Sequence, residues 1–105
     1  VDLAAEAGTG VFASAGGVVE ITDEPYRESR KLGKVVVIDH EDGRKTLYAH
    51  LKSIDVRIGT RVSRGETIGQ VGSTGLTTGP HLHFELWQEW QPIDPSRFVE
   101  GWNEK

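Results

Sequence analysis

The chain has 105 residues, 27% charged and 36% hydrophobic, with 16 acidic against 12 basic side chains and no cysteine. That suffices for one modest core. The mild negative charge argues against nucleic acid or an anionic membrane as the main partner, no apolar run nears the roughly 20 residues that span a bilayer, and any metal must be held by His, Asp or Glu.

The opening "VDLAAEAGTG" lacks an initiator Met and reads as already inside a structured element, which suggests an excised or processed single domain over residues 1–105. Asp2 there stands at a candidate strand end. Thirteen glycines and many β-branched residues point to short strands joined by tight turns. "GTGVFASAGGVV" from Gly8 and "GTRVSRGETIGQV" from Gly59 share a Gly-Thr-x-Val start and a later Gly before an apolar pair. They suggest a fold with duplicated halves. Between the two, "TDEPYRESRKLGK" reads as an exposed loop. "VVVID" (Val35 to Asp39) is a buried strand, Asp42-Gly43 a turn, and "RKTLYAHL" the return strand of a hairpin. Strict alternation places Leu47, Ala49 and Leu51 on one face of that strand and Thr46, Tyr48 and His50 on the other.

"GSTGLTTGP" is a glycine-rich loop but not a phosphate loop, since no Lys-Ser/Thr follows its last glycine. Its glycines allow backbone to approach whatever occupies the neighbouring face. The strand "HLHFEL" comes next. Period two puts His81, His83 and Glu85 on one face and Leu82, Phe84 and Leu86 on the other, a core face. Helical signal is confined to "IDPSRFVEGW", where Asp94 would cap a short helix and Pro95 would begin it. The reading is all-β and mostly antiparallel.

Four histidines carry the chemical interest. His40 beside the turn reads as solvated, and His50 alone is weak evidence. The pair His81 and His83 is stronger, because histidines one residue apart on a strand can both reach one divalent ion. A three-histidine site with His50 is chemically reasonable, and so is one with a carboxylate from Asp2, Glu85, Asp39 or Asp55. Of these, Asp39 and Asp55 read as surface residues. Spacing leaves the choice open.

"VDLAAEAGTGVFASAGGVV", "VVVIDHEDGRKTLYAHL", "IGTRVSRGETIGQVGSTGLTTGPHLHFEL" and "PIDPSRF", in this order, resemble the lysostaphin- and LytM-like zinc peptidases, peptidase family M23. The resemblance runs from Val1 to about Phe98. It implies a duplicated, lysostaphin-like hybrid β-fold with a substrate groove across one sheet and little helix. It also implies Zn2+ held by Asp2 and His83, with His50 and His81 catalytic beside the metal. Zinc would polarise a peptide carbonyl and acidify water; one histidine, His81 by preference, would act as general base, and the other, His50, would stabilise the oxyanion or protonate the leaving amine, the two roles being exchangeable. The implied activity is endopeptidase cleavage of peptidoglycan stem peptides or cross-bridges, in an extracytoplasmic place such as periplasm, cell envelope or medium.

The family's His-x-x-x-Asp pattern puts a further zinc-binding histidine ahead of Val1, outside the given residues. A degenerate member acting as scaffold or activator of another cell-wall hydrolase is the competing expectation. The joint presence of Asp2, His50, His81 and His83 favours the active one, because such a site works as a unit. "DEPYRESRKL" and "WQEWQPIDP" are expected groove walls, with Trp87 and Trp90 as contacts or, more simply, as packing. The Gly59 hairpin also resembles turns of biotinyl and lipoyl carriers, but the residues around Lys45 do not match a modified-lysine tip.

Overall fold

A computed structural model describes residues 2–75, 77, 79–89 and 91–93. The strands are β1 (Asp2–Ala4), β2 (Gly10–Phe12), β3 (Gly17–Asp23), β4 (Lys34–Asp39), β5 (Arg44–Ile54), β6 (Arg61–Val62), β7 (Thr67–Val71), β8 (His81–Gln88) and β9 (Gln91–Ile93). All pairings among them are antiparallel, in the order β1-β8-β5-β4-β3-β6, with β7 joining β5 to β2 and β9 beside β8. A single 3-10 turn, Arg30–Leu32, interrupts the polar loop. The expected helix around Asp94 and Pro95 lies outside the described residues, as does Trp90.

The duplication is visible as an exchange of hydrogen bonds between the two halves. β2 of the first half pairs with β7 of the second, and β6 of the second pairs with β3 of the first. The equivalent glycines make equivalent bonds: Gly8 donates to the Val71 carbonyl and Gly59 to that of Val19, each at 2.8 Å. Val71 in turn donates to Thr9, and Val19 to Thr60.

"VVVI" is continuous because both faces of β4 are covered. Val36 and Ile38 enter the main core with Val19, Tyr48, Leu51, Ile68, Phe84 and Leu86. Val35 and Val37 enter a smaller cluster with Leu47 and Ala49, flanked by Ile21, Tyr26 and Leu32 from β3 and the polar loop. Tyr48 meets Phe84 edge to face, ring centroids 5.5 Å apart, a geometry worth about 0.5–1.5 kcal/mol beyond area burial.

Strict alternation on β5 fails at one place. Lys34 pairs with Leu51 but Val36 with Tyr48, so two steps along β4 match three along β5. The surplus is a bulge, and His50 within it has φ +60°. It falls where β5 changes partner, from β8 along Arg44–Ala49 to β7 from Leu51 onward. The expected faces are therefore corrected. Thr46 and Tyr48 are buried on the main-core side and Leu51 joins them there, whereas His50 leaves them for the opposite side.

His40 is likewise corrected from solvated to buried. Its Nδ1 donates to the Gly16 carbonyl at 2.7 Å, and its Nε2 lies 2.8 Å from Thr46 Oγ1. Thr46 Oγ1 is 2.8 Å from the Tyr48 hydroxyl, which also receives the Ser14 N–H. Burial holds the His40 imidazole below its ordinary pKa, favouring the neutral ring.

Candidate metal and catalytic centre

Pairing of β1 with β8 sets Asp2 opposite His83 and Ala4 opposite His81. Pairing of β5 with β8 sets Ala49 opposite His83 and Leu47 opposite Glu85. The polar face of β8 thus lies on the same side of the sheet as the smaller cluster. The bulge delivers His50 to that side, its ring centroid 4.8 Å from His81 and 6.0 Å from His83. An unbulged strand would have turned it into the main core.

Both ring nitrogens of His83 face carboxylates. Nδ1 is 2.7 Å from Asp2 Oδ1, and Nε2 is 2.7 Å from Glu85 Oε2. Ionised carboxylates only accept, and a neutral imidazole has one N–H. One of the two contacts therefore calls for something besides that N–H, either a second proton on the ring or a metal ion. Glu85 is the more enclosed acceptor, 26% exposed against 64% for Asp2, and the Trp87 indole N–H donates to its other oxygen at 2.8 Å. Of the two contacts, the one with Asp2 is the more accessible from solvent. The hydrogen bond from His83 holds the Asp2 carboxyl below its usual pKa, with smaller Coulombic help from His83 and His81. An N/O donor pair, with the histidine braced from behind by a carboxylate, fits zinc in kind. Among the described residues no group of three or more such side chains is placed to hold an ion.

His81 points its Nδ1 at Thr77 Oγ1 (2.9 Å) and the Gly79 carbonyl (3.0 Å). Its Nε2 is 3.5 Å from Asp2 Oδ1. His50, 5% exposed, donates from Nδ1 to the Thr74 carbonyl at 2.7 Å. In both rings Nδ1 is thus engaged by the loop before β8. Of the carboxylates weighed from sequence, Asp2 and Glu85 join the cluster. Asp39 accepts the Glu41 N–H at the hairpin, and Asp55 is exposed beyond β5.

A cleft of about 690 Å³ continues along this face. Ile21, Val37 and Leu47 line it together with Tyr26 of the polar loop, Trp87 and the acidic Glu20 and Glu89. Trp87 thus lines the cleft. Lys45 sits within β5 opposite Trp87, bound to Glu20 at 2.8 Å, not at a hairpin tip.

A family model described as peptidase family M23 matches residues 1–95. The peptidoglycan DD-endopeptidase ShyA of Vibrio cholerae is 45% identical over 94 residues, covering 89% of this chain and 21% of its own length. This chain therefore spans about a fifth of that relative. Among solved structures, a zinc-containing peptidase from Vibrio cholerae superposes with a TM-score of 0.81 at 39% identity, covering 89% of this chain and 28% of that one. The catalytic domain of the antimicrobial peptidase lysostaphin from Staphylococcus simulans gives 0.84 at 30% identity, covering 94% and 76%.

Proposed function

Because the chain belongs to peptidase family M23, with a lysostaphin-like fold, we propose that it is a zinc-dependent endopeptidase domain acting on the peptide part of peptidoglycan. The observation that carries this reading is the meeting of Asp2 with His83, with two further histidines beside them, on the sheet face that also carries the cleft beside Leu47 and Trp87. Its relative ShyA is named as a peptidoglycan endopeptidase. We place its action outside the cytoplasm, where that substrate lies.

Asp2 and His83 would hold the zinc together with further donors, since catalytic zinc commonly takes three protein ligands. When bound, zinc supplies Lewis acidity toward a peptide carbonyl and acidifies water. The chain's own groups do the rest. Glu85 accepts the His83 Nε2–H and so leaves Nδ1 to face Asp2. His81, with Nδ1 occupied by Thr77 and Gly79, takes up a proton at Nε2 as general base. His50, whose Nδ1–H is given to Thr74, has Nε2 as its exchanging nitrogen, and as the imidazolium it would donate from there to the leaving amine or to the developing oxyanion. The cleft beside Leu47 and Trp87 receives the flanking peptide.

The test is digestion of purified peptidoglycan with zinc present, followed by mass spectrometry of the released peptides. New amino and carboxyl termini at one peptide bond, abolished by a chelator, are expected. Intact cross-linked peptides under those conditions would overturn the assignment.

A further inference from the structure

The glycine-rich loop before β8 does something its sequence alone did not disclose. We propose that Thr74 is a positioning residue, its hydroxyl tying together the two strands at the β5 bulge while its carbonyl fixes the ring of His50.

The hydroxyl of Thr74 donates to the Leu51 carbonyl at 2.7 Å and accepts the Lys34 N–H at 3.1 Å. Lys34 and Leu51 are register partners across β4 and β5, the pair bordering the bulge. The hydroxyl stands between a donor and an acceptor of two paired strands and links them where the ladder is disturbed. The same residue's carbonyl lies 2.7 Å from His50 Nδ1. One residue therefore grips the bulge from the backbone side and the histidine from the side-chain side.

Around Thr74 the two segments approach closely. A Cβ at Gly33, where φ is +66°, would fall on the Thr74 backbone and hydroxyl. A Cβ at Gly75, where φ is +79°, would fall on the Lys31 carbonyl and the Gly33 nitrogen. The loop is thus seated directly on the 3-10 turn, and both contacts require glycine. A residue at positive φ persists only where its surroundings hold it. Here the surroundings are Thr74. Its carbonyl, an acceptor only, keeps the His50 proton on Nδ1 and leaves Nε2 for the site.

The consequence for catalysis rests on the proposed role of His50, but the geometry is testable without it. Imidazole 15N shifts are recorded on the zinc-free protein above the histidine titration range, for wild type, Thr74→Ser and Thr74→Val. His50 is expected in the Nδ1–H form in wild type and T74S, and in a mixture of tautomers in T74V. Peptidoglycan hydrolysis by the zinc-loaded protein should follow: near wild type in T74S, with kcat lower on the order of 10–100-fold in T74V and KM little changed. An Nε2–H tautomer in wild type would overturn the proposal, and this is read without any variant, so a T74V that does not fold costs nothing. Wild-type tautomer and kcat in a folded T74V would overturn it as well. A wild-type protein that hydrolyses nothing would instead sink the proposed activity, leaving Thr74 to be judged on the tautomer alone.

Discussion

His50 pays for its place in the site with backbone strain, and the strain can be measured by exchanging it for alanine and for glycine. Both substitutions remove the imidazole and its hydrogen bond to Thr74, so those losses cancel when the two variants are compared. What differs is the Cβ at φ +60°. A left-handed conformation costs a Cβ-bearing residue about 1–2 kcal/mol. Glycine avoids that but gains freedom in the unfolded chain, a penalty of about 0.4–1 kcal/mol. The remainder favours His50→Gly over His50→Ala by about 0.5–1 kcal/mol. In urea denaturation of the zinc-free protein, the midpoint of H50G should lie a few tenths of a molar above that of H50A, at a slope of about 1–3 kcal/mol per molar. An H50A midpoint equal to or above that of H50G would refute the reasoning, since it would mean that the bulge relaxes or carries no strain.

Tyr48→Phe removes a hydroxyl that contacts Ser14 and Thr46 inside the main core, and should lower unfolding stability by about 1–3 kcal/mol in the same assay. Burial lowers the pKa of His40, so the unfolded chain binds the extra proton first as pH falls below its ordinary value of about 6.5. Stability should therefore drop on acidification through that range, and His40→Gln should flatten the slope by at most about 1.4 kcal/mol per pH unit, read from denaturation curves between pH 7 and 5. His81→Ala should leave zinc binding in place while lowering kcat for peptidoglycan peptides on the order of 10²–10⁴-fold, as befits a general base; loss of zinc with the imidazole would make it a ligand instead.

Much of this architecture was legible locally. The alternation of "HLHFEL" places His81, His83 and Glu85 together, and the covered faces of "VVVID" follow from its unbroken β-branched run. The similarity between the Gly8 and Gly59 segments foreshadows the exchange of strands between halves. The misplaced residues share a physical cause. His50 departs from period two because β5 changes partners there, and a partner change is a long-range event with no local mark; histidine is not the glycine that would announce a positive φ. His40 reads locally as a turn residue because local reading cannot see the Gly16 carbonyl arriving from the residue before β3. That approach is close: a Cβ at Gly17 would strike the Asp39 carbonyl. Thr74 lay within a stretch read only for its glycines, whereas its hydroxyl and carbonyl serve β4, β5 and His50.

The most direct test of the metal centre is zinc bound per chain at equilibrium. It should be made on the domain extended ahead of Val1 by design, with a histidine placed four residues before Asp2 as the His-x-x-x-Asp pattern assigns, so that three ligands are present. About one zinc per chain is predicted, falling to near zero in Asp2→Ala and in His83→Ala, with both variants still folded. Zinc retained undiminished in both variants, or none bound by the unaltered domain, would contradict the assignment of Asp2 and His83 as its ligands.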